Sequence, residues 1–322
     1  KDLDFLYGRG AEVLTETARF WASRCEYVTE KDRYEINQVT GPDEWHEPVN
    51  NNLYTNYFAR WNLRYVMSLI RTMKEERPDD YEALMKKTGL KEEELEFWNT
   101  VQSKIYLPRK EGTNLLEQFE GYFQLKDVVI DQYDENDWPI RPEALKTCKA
   151  RETQILKQPD VVLLLHLLGE EFESELMKEN YDYYEKRTLH GSSLSPSIYS
   201  VMGLKVGDDS KAYRYLKRAA LIDLLNLQKN TREGIHAANA GGVWQTIVFG
   251  FAGVSIGKDG ILNVKPNMPK EWSSLKFRLH YDNAWLEIRT DGNNQAEVRR
   301  LDGAPVAYGS TVRKKRFRRE PR

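Results

Sequence analysis

Residues Val161-Val-Leu-Leu-Leu165 are apolar all round a helical wheel, and Asp160 stands directly before them as a candidate N-cap. A helix with no polar face is enclosed by neighbours on several sides, as the inner ring of a helical barrel is. The chain supplies such neighbours. Leu3, Leu6, Tyr7, Gly10, Val13, Leu14, Thr17, Ala18 and Trp21 recur at helical spacing and predict a first helix. Tyr54, Tyr57, Phe58, Trp61, Tyr65 and Leu69 share the face of a second. Further helices are expected over 160–168, 170–186, 195–202, 210–227 and 236–251. The charged run over 76–96 predicts solvated outer helix faces. Residues 107–150 hold Pro108, Gly112, Gly121, Pro139 and Pro142 with no long periodic stretch, and read as an irregular connection.

The period changes near residue 255. Ile261–Val264, Leu275–Leu279, Trp285–Ile288 and Gln295–Arg299 are short and alternating, and Gly, Pro, Asn and Asp separate them. The expected organisation is a helical domain over 1–254 and a small antiparallel β domain over 255–310. A basic, disordered tail over 311–322 follows. The formal charge of −2 gives no global attraction to nucleic acid or an anionic membrane. The two cysteines, Cys25 and Cys148, lie outside metal-type spacing and read as reduced thiols in a cytoplasmic setting. No zinc-type cluster, Gly-rich phosphate loop or nucleophile elbow occurs, so no metal or organic cofactor is expected.

Four segments carry candidate chemistry. Gly41-Pro-Asp-Glu-Trp-His-Glu-Pro-Val-Asn-Asn-Asn-Leu-Tyr-Thr-Asn56 mixes carboxylates, an aromatic face and short amides, as a site for sugar hydroxyls requires. Two neighbouring carboxylates and an apolar ring can raise one carboxyl so that it protonates a leaving oxygen. A turn leading into a helix, capped by Asp43, is the plain alternative. Lys157-Gln158 precedes the apolar helix and would project from a barrel mouth. His190-Gly-Ser-Ser-Leu-Ser-Pro196 offers hydroxyls and amides beside a helix start near Ser195, which suits a small oxyanion such as phosphate. A serine-capped turn explains it equally well. Thr231–Trp244 sets His236 before the small residues Ala237–Gly242, where a cationic ring could face an anion.

Gly41-Pro-Asp-Glu-Trp-His-Glu with Asn51-Asn52-Leu-Tyr-Thr-Asn56, Lys157-Gln158, His190-Gly191-Ser192-Ser193 and Glu233–Asn239 together resemble, in this order, the motifs of glycoside hydrolase family 65. That family includes inverting phosphorylases of maltose, trehalose, kojibiose and nigerose. The resemblance implies an (α/α)6 barrel followed by a small C-terminal β-sheet domain. It implies Glu44 as general acid, Lys157 and Gln158 on the glucosyl unit, and Ser192, Ser193 and His236 on phosphate. His46 and Glu47 would contact the acceptor sugar. Phosphate would be co-substrate and nucleophile, and the products β-glucose 1-phosphate and a free sugar. A homodimer is expected. The barrel would lack its first helices, with Lys1 about a third of the way in, either as a fragment or with a separate chain carrying the N-terminal half; residues 1–322 alone are then expected to be inactive. The alternatives are a hydrolase of the acid trehalase type and an inactive sugar-binding fragment that needs a partner chain.

Overall fold

The computed structural model describes residues 2–307 except 137, 258, 259 and 304. The basic tail expected over 311–322 lies outside the described residues. Helices dominate up to Phe251, and short antiparallel strands follow. The chain divides into two compact units. The first runs to Leu164 and takes in Asp182–Leu189; the second holds Leu165–Tyr181 and the residues from His190 onward. The division therefore falls inside the helical part, whereas the change of sequence period falls near 255.

In the first unit, α1 (Leu3–Phe5) leads through a π-helical turn at Leu6–Gly10 into α2 (Ala11–Arg24). A hairpin of β1 (Glu26–Val28) and β2 (Arg33–Glu35) follows, with Tyr27 opposite Tyr34. Next come α3 (Leu53–Glu76), α4 (Pro78–Thr88) and α5 (Glu92–Lys104). Pro78 opens α4, and Gly89 closes it at φ 63°, a backbone conformation that glycine adopts without steric cost. The core of this unit sets Ala11, Ala18 and Ala22 with Ala59, Leu63, Val66 and Ile70. Small residues on α2 let helix axes approach closely.

The buried face of α3 is thus aliphatic. Its aromatic stripe forms a separate ladder, half-buried at Tyr54, Phe58 and Trp61 and more exposed at Tyr65, with Trp61 stacked on Tyr65 at 5.1 Å. Residues 107–150 contain short 3-10 turns at Tyr122–Gln124 and Glu143–Lys146. They enclose a core of Val128, Ile130, Leu145 and Ile155, against which Trp45 packs.

The apolar run becomes α6 (Val161–Leu167), with Val161, Val162, Leu164 and Leu165 fully buried. It and α7 (Ser174–Glu185) each run from one unit into the other. The second unit continues with α8 (Ser195–Val206), α9 (Asp209–Leu221) and α10 (Ala237–Gln245), the last extended by a π-helical turn at Thr246–Phe251. The helix expected to reach Leu227 stops at Leu221. A turn replaces its end, with Asn226 left-handed at φ 48°. α10 and α8 pack closely enough that a Cβ on Gly242 would come within 2.5 Å of Ser197 Oγ.

The strands are β3 (Val254–Ile256) paired with β4 (Leu262–Val264), and an antiparallel sheet in the order β5 (Ser274–Tyr281), β6 (Ala284–Asp291), β7 (Ala296–Arg300). Asp282 and Asn283, both at positive φ, make the tight turn between β5 and β6. Leu286, Ile288, Val298 and Val264 form the core of this part.

Candidate active site

The acid-rich turn is closed at its base by reciprocal backbone bonds between Val39 and Val49. Asn52 ends it as the N-cap of α3, its side chain accepting from the Thr55 N–H at 2.9 Å. Three successive carboxylate-bearing positions then separate by environment. Asp43 is buried, while Glu44 and Glu47 face solvent, and Thr40 Oγ1 donates to Glu47 at 3.3 Å.

Asp43 is the hub. Its Oδ1 accepts from the backbone N–H of Lys157 at 3.0 Å and of Trp45 at 3.4 Å. Its Oδ2 accepts from His46 Nδ1 at 2.6 Å and Gln118 Nε2 at 3.1 Å. Three N–H donors converge on these two oxygens, an arrangement that stabilises the ionised form of a carboxyl. The hub ties the acid turn to the segment carrying Lys157 and Gln158, more than a hundred residues along the chain. On the outer side of the same turn, Glu44 forms an ion pair with Lys157, and Gln158 Nε2 donates to the Pro42 carbonyl. Trp45 meets the Arg141 guanidinium across its ring at 5.9 Å. Glu44 therefore pairs with a cation, while the second carboxylate of the cluster turns inward.

Asp160 is also buried, and its side chain reaches across to the turn instead of serving only the start of α6. Its Oδ2 accepts from Asn52 Nδ2 at 3.0 Å and from the Asp43 N–H at 3.4 Å. Its Oδ1 is buried without a partner. Burial, with a smaller push from Asp43, raises this carboxyl to about 7. Gly41 is required here: a Cβ would come within 2.4 Å of Asn52 Nδ2 and 2.5 Å of Asp160 Oδ2. His46 is buried between Asp43 and the Thr153 carbonyl, which its Nε2 meets at 2.8 Å. Burial lowers its pKa, but the bond and charge of Asp43 outweigh that, and the ring is raised above its ordinary value.

The second unit holds the other candidates. Ser192 Oγ accepts from the Leu194 N–H at 3.3 Å, and its carbonyl accepts from Ser195 N. Both Ser192 and Ser193 are half-buried just before α8. The left-handed residue of this turn is His190, at φ 51°, with Gly191 following it. The His190 ring meets Ser195 Oγ at 2.8 Å and Tyr215 OH at 3.1 Å. Burial, then the positive charge of Arg218, Arg214 and Lys211, pushes it down to about 3. His236 sits just before α10 with Nδ1 at 2.5 Å from Asp223 Oδ1, and its backbone N–H also donates to Asp223. These bonds hold Asp223 below the usual carboxylate range.

The structure thus brings Glu44, His46, Lys157 and Gln158 into one cluster of the first unit, with Glu47 on the same turn, and sets Ser192, Ser193 and His236 in the second. Sequence reasoning missed Gln118 entirely, read Asp43 as a neighbouring carboxylate or a cap, and read Asp160 as a cap. Both acids stand beside motif residues, but their partners are 75 to 117 positions away, and no local pattern announces such pairs.

Among known proteins, residues 1–245 match the profile described as "Glycosyl hydrolase family 65 central catalytic domain". Residues 256–308 match its "C-terminal domain". The chain is 51% identical over 94% of its length to a kojibiose phosphorylase of Caldanaerobacter subterraneus subsp. tengcongensis, covering 39% of that protein. It is 37% identical over 95% of its length to an α,α-trehalose phosphorylase of Thermoanaerobacter brockii, again covering 39%. A solved structure, "Putative kojibiose phosphorylase from human microbiome", superposes with a TM-score of 0.79 at 33% identity, over 90% of this chain and 38% of that one. The chain spans about two-fifths of the length of these relatives. A catalytic-domain match covering more than half of the sequence, joined to the matching C-terminal domain in the same order, places this chain in glycosyl hydrolase family 65.

Proposed function

We propose that the protein carrying this chain is an inverting phosphorylase of an α-glucosidic disaccharide. Glu44 is the general acid. Its carboxyl is half-exposed and pairs with the Lys157 head group. That pair, on a turn anchored from inside by Asp43, is the observation that carries the reading. A glucosyl unit that engages Lys157 and Gln158 releases Glu44 from its ion pair, and the freed carboxylate takes up a proton from solvent and turns to the glycosidic oxygen. Glu44 gives its proton to that oxygen as the bond to the anomeric carbon breaks. A phosphate oxygen forms the new bond from the opposite face of the ring, and the configuration inverts. The products are β-glucose 1-phosphate and the released sugar.

Phosphate needs no activating base; it needs donors that place an oxygen in line. Ser192, Ser193 and His236 take that role, with Asp223 keeping a proton on His236 Nδ1. Glu47, exposed on the acid turn, faces the acceptor sugar. We further infer that the helices over 1–254 belong to an (α/α)6 barrel, that 255–310 is the β domain, and that the enzyme works as a cytoplasmic homodimer with phosphate as its only co-substrate.

Kojibiose, trehalose, nigerose and maltose are each incubated with the protein as its gene encodes it, with and without phosphate. Phosphate-dependent β-glucose 1-phosphate from one of them is the expected result, lost in Glu44→Gln. Ser193→Ala should raise the phosphate KM more than the sugar KM. Glucose release at equal rate without phosphate would replace this reading with a hydrolase.

A further inference from the structure

We propose that His46 is a positioning residue, a buried imidazolium that clamps the acid turn to the Thr153–Lys157 segment and so sets Glu44 against the residues that hold the glucosyl unit. The inference rests on the reading of Glu44 as the general acid. It starts from donor and acceptor chemistry. The Thr153 carbonyl at Nε2 can only accept a hydrogen bond. At Nδ1 stands Asp43, which also receives the Lys157, Trp45 and Gln118 N–H groups; these stabilise its ionised form, and imidazole is ordinarily more basic than a carboxylate, so the proton between them rests on Nδ1. Two acceptors require two N–H donors, and an imidazole has two only when it is cationic.

The groups facing the ring agree. From its own turn comes Asp43. From the start of α6 comes Asp160, and from the Phe119–Tyr122 turn come the Phe119 ring at 5.3 Å and the Tyr122 ring at 6.0 Å. The Tyr122 hydroxyl donates to Gln154 O and is held neutral by burial. While Asp160 holds its proton, below about 7, a cationic His46 beside the Asp43 carboxylate makes this buried group of side chains neutral overall.

The clamp has two jaws on one segment. Asp43 takes the Lys157 N–H, and His46 takes the Thr153 carbonyl four residues earlier. Glu44, between them in sequence, meets the Lys157 side chain. A neutral His46 turns a bare nitrogen toward one of the two oxygens, opens one jaw, and lets the acid drift. The ring is buried, 3% exposed, so its effect on the reaction passes through Glu44.

The test begins without a variant. In the full chain labelled with 15N-histidine there are five histidines to resolve, and His46→Gln identifies the His46 signals. Both His46 nitrogens should be protonated at pH 7 and should titrate above about 6.5, the ordinary histidine value. In the protein as its gene encodes it, kcat should fall on the alkaline side with that same midpoint while the disaccharide KM stays level. His46→Gln should lower kcat about tenfold or more, as small misplacements of a catalytic group do, and should move the midpoint of the alkaline limb. A ring with an unprotonated nitrogen at pH 7, or an alkaline limb unchanged in His46→Gln, overturns the proposal. A neutral ring with phosphorolysis intact overturns it alone. No phosphate-dependent turnover in the unmodified protein overturns it together with the parent reading.

Discussion

Two histidines are sealed inside this molecule to the same extent, each 3% exposed, and their surroundings push their basicity in opposite directions. His46, under the acid turn, faces a carboxylate and a carbonyl. His190, under the serine turn, faces the hydroxyls of Ser195 and Tyr215, with three cationic side chains acting on it at longer range. Hydroxyls can donate or accept, so a neutral ring satisfies them; oxygens that only accept require the second proton. Burial alone disfavours charge in both places. The partners decide the outcome, and each turn is built on a histidine whose charge its surroundings fix.

The sharpest way to break this contrast is to remove the anion from the acid turn. Asp43→Ala leaves a buried imidazolium and three N–H groups without their acceptor. Breaking a buried pair by deleting one partner costs about 3–5 kcal/mol. Thermal unfolding of the variant should show a loss of that size, and an effect below about 1 kcal/mol would mean that Asp43 is not the anchor described here.

A smaller effect sharpens the contrast through its sign. Unfolded His190 takes up a proton near its ordinary value, but the folded ring does so only near 3. Between these values the unfolded chain binds more protons, so stability rises with pH across that window. Moving from pH 7.5 to pH 5 should cost about 2 kcal/mol at this residue, and His190→Gln should flatten that slope in denaturant titrations. For His46 the folded value is raised, so the folded chain holds the extra proton. Its contribution is complete below the unfolded value and fades as pH rises through the folded one. His46→Gln should therefore flatten the alkaline side. Slopes of the same sign in the two variants would end the comparison.

How much of this was legible beforehand follows from the range over which each residue acts. Helical and strand periods are local, so the helices, the burial of Val161–Leu165 and the β-hairpin residues could be read along the chain. Asp282-Asn283 announces its turn by residue type. The acid, lysine and serine segments were also legible, because motifs are contiguous. The hub was not. Asp43 earns its role from Gln118 and Lys157, and His46 from Thr153, and nothing near residue 43 encodes those partners. The aromatic face of α3 misled for a related reason: periodicity shows that residues share a face, not which face the alanines of α2 will cover. The division into units inside the helical part is equally non-local, since it depends on which helices touch.

The mildest test concerns the carboxyl that separates the two behaviours within the acid turn itself. Burial raises Asp160 to about 7, so it holds its proton up to near neutral pH, beside Asp43, whose backbone N–H donates to it at 3.4 Å. The unfolded chain ionises Asp160 near 3.9, so between that value and about 7 the folded state binds the extra proton and stability falls as pH rises. Asparagine has the shape of the protonated acid and retains an oxygen for Asn52 Nδ2 and the Asp43 N–H. Asp160→Asn should therefore gain on the unmodified protein by about 1 kcal/mol for each unit of pH between 5 and 7, and hold that lead at pH 8. Asp160→Ala, which removes the acceptor as well, should be less stable at both. If Asp160→Asn gained nothing between pH 5 and pH 8, Asp160 would already be an anion at pH 5, the buried group would carry a net negative charge, and His46 would be the wrong place to look for the proton that holds the turn.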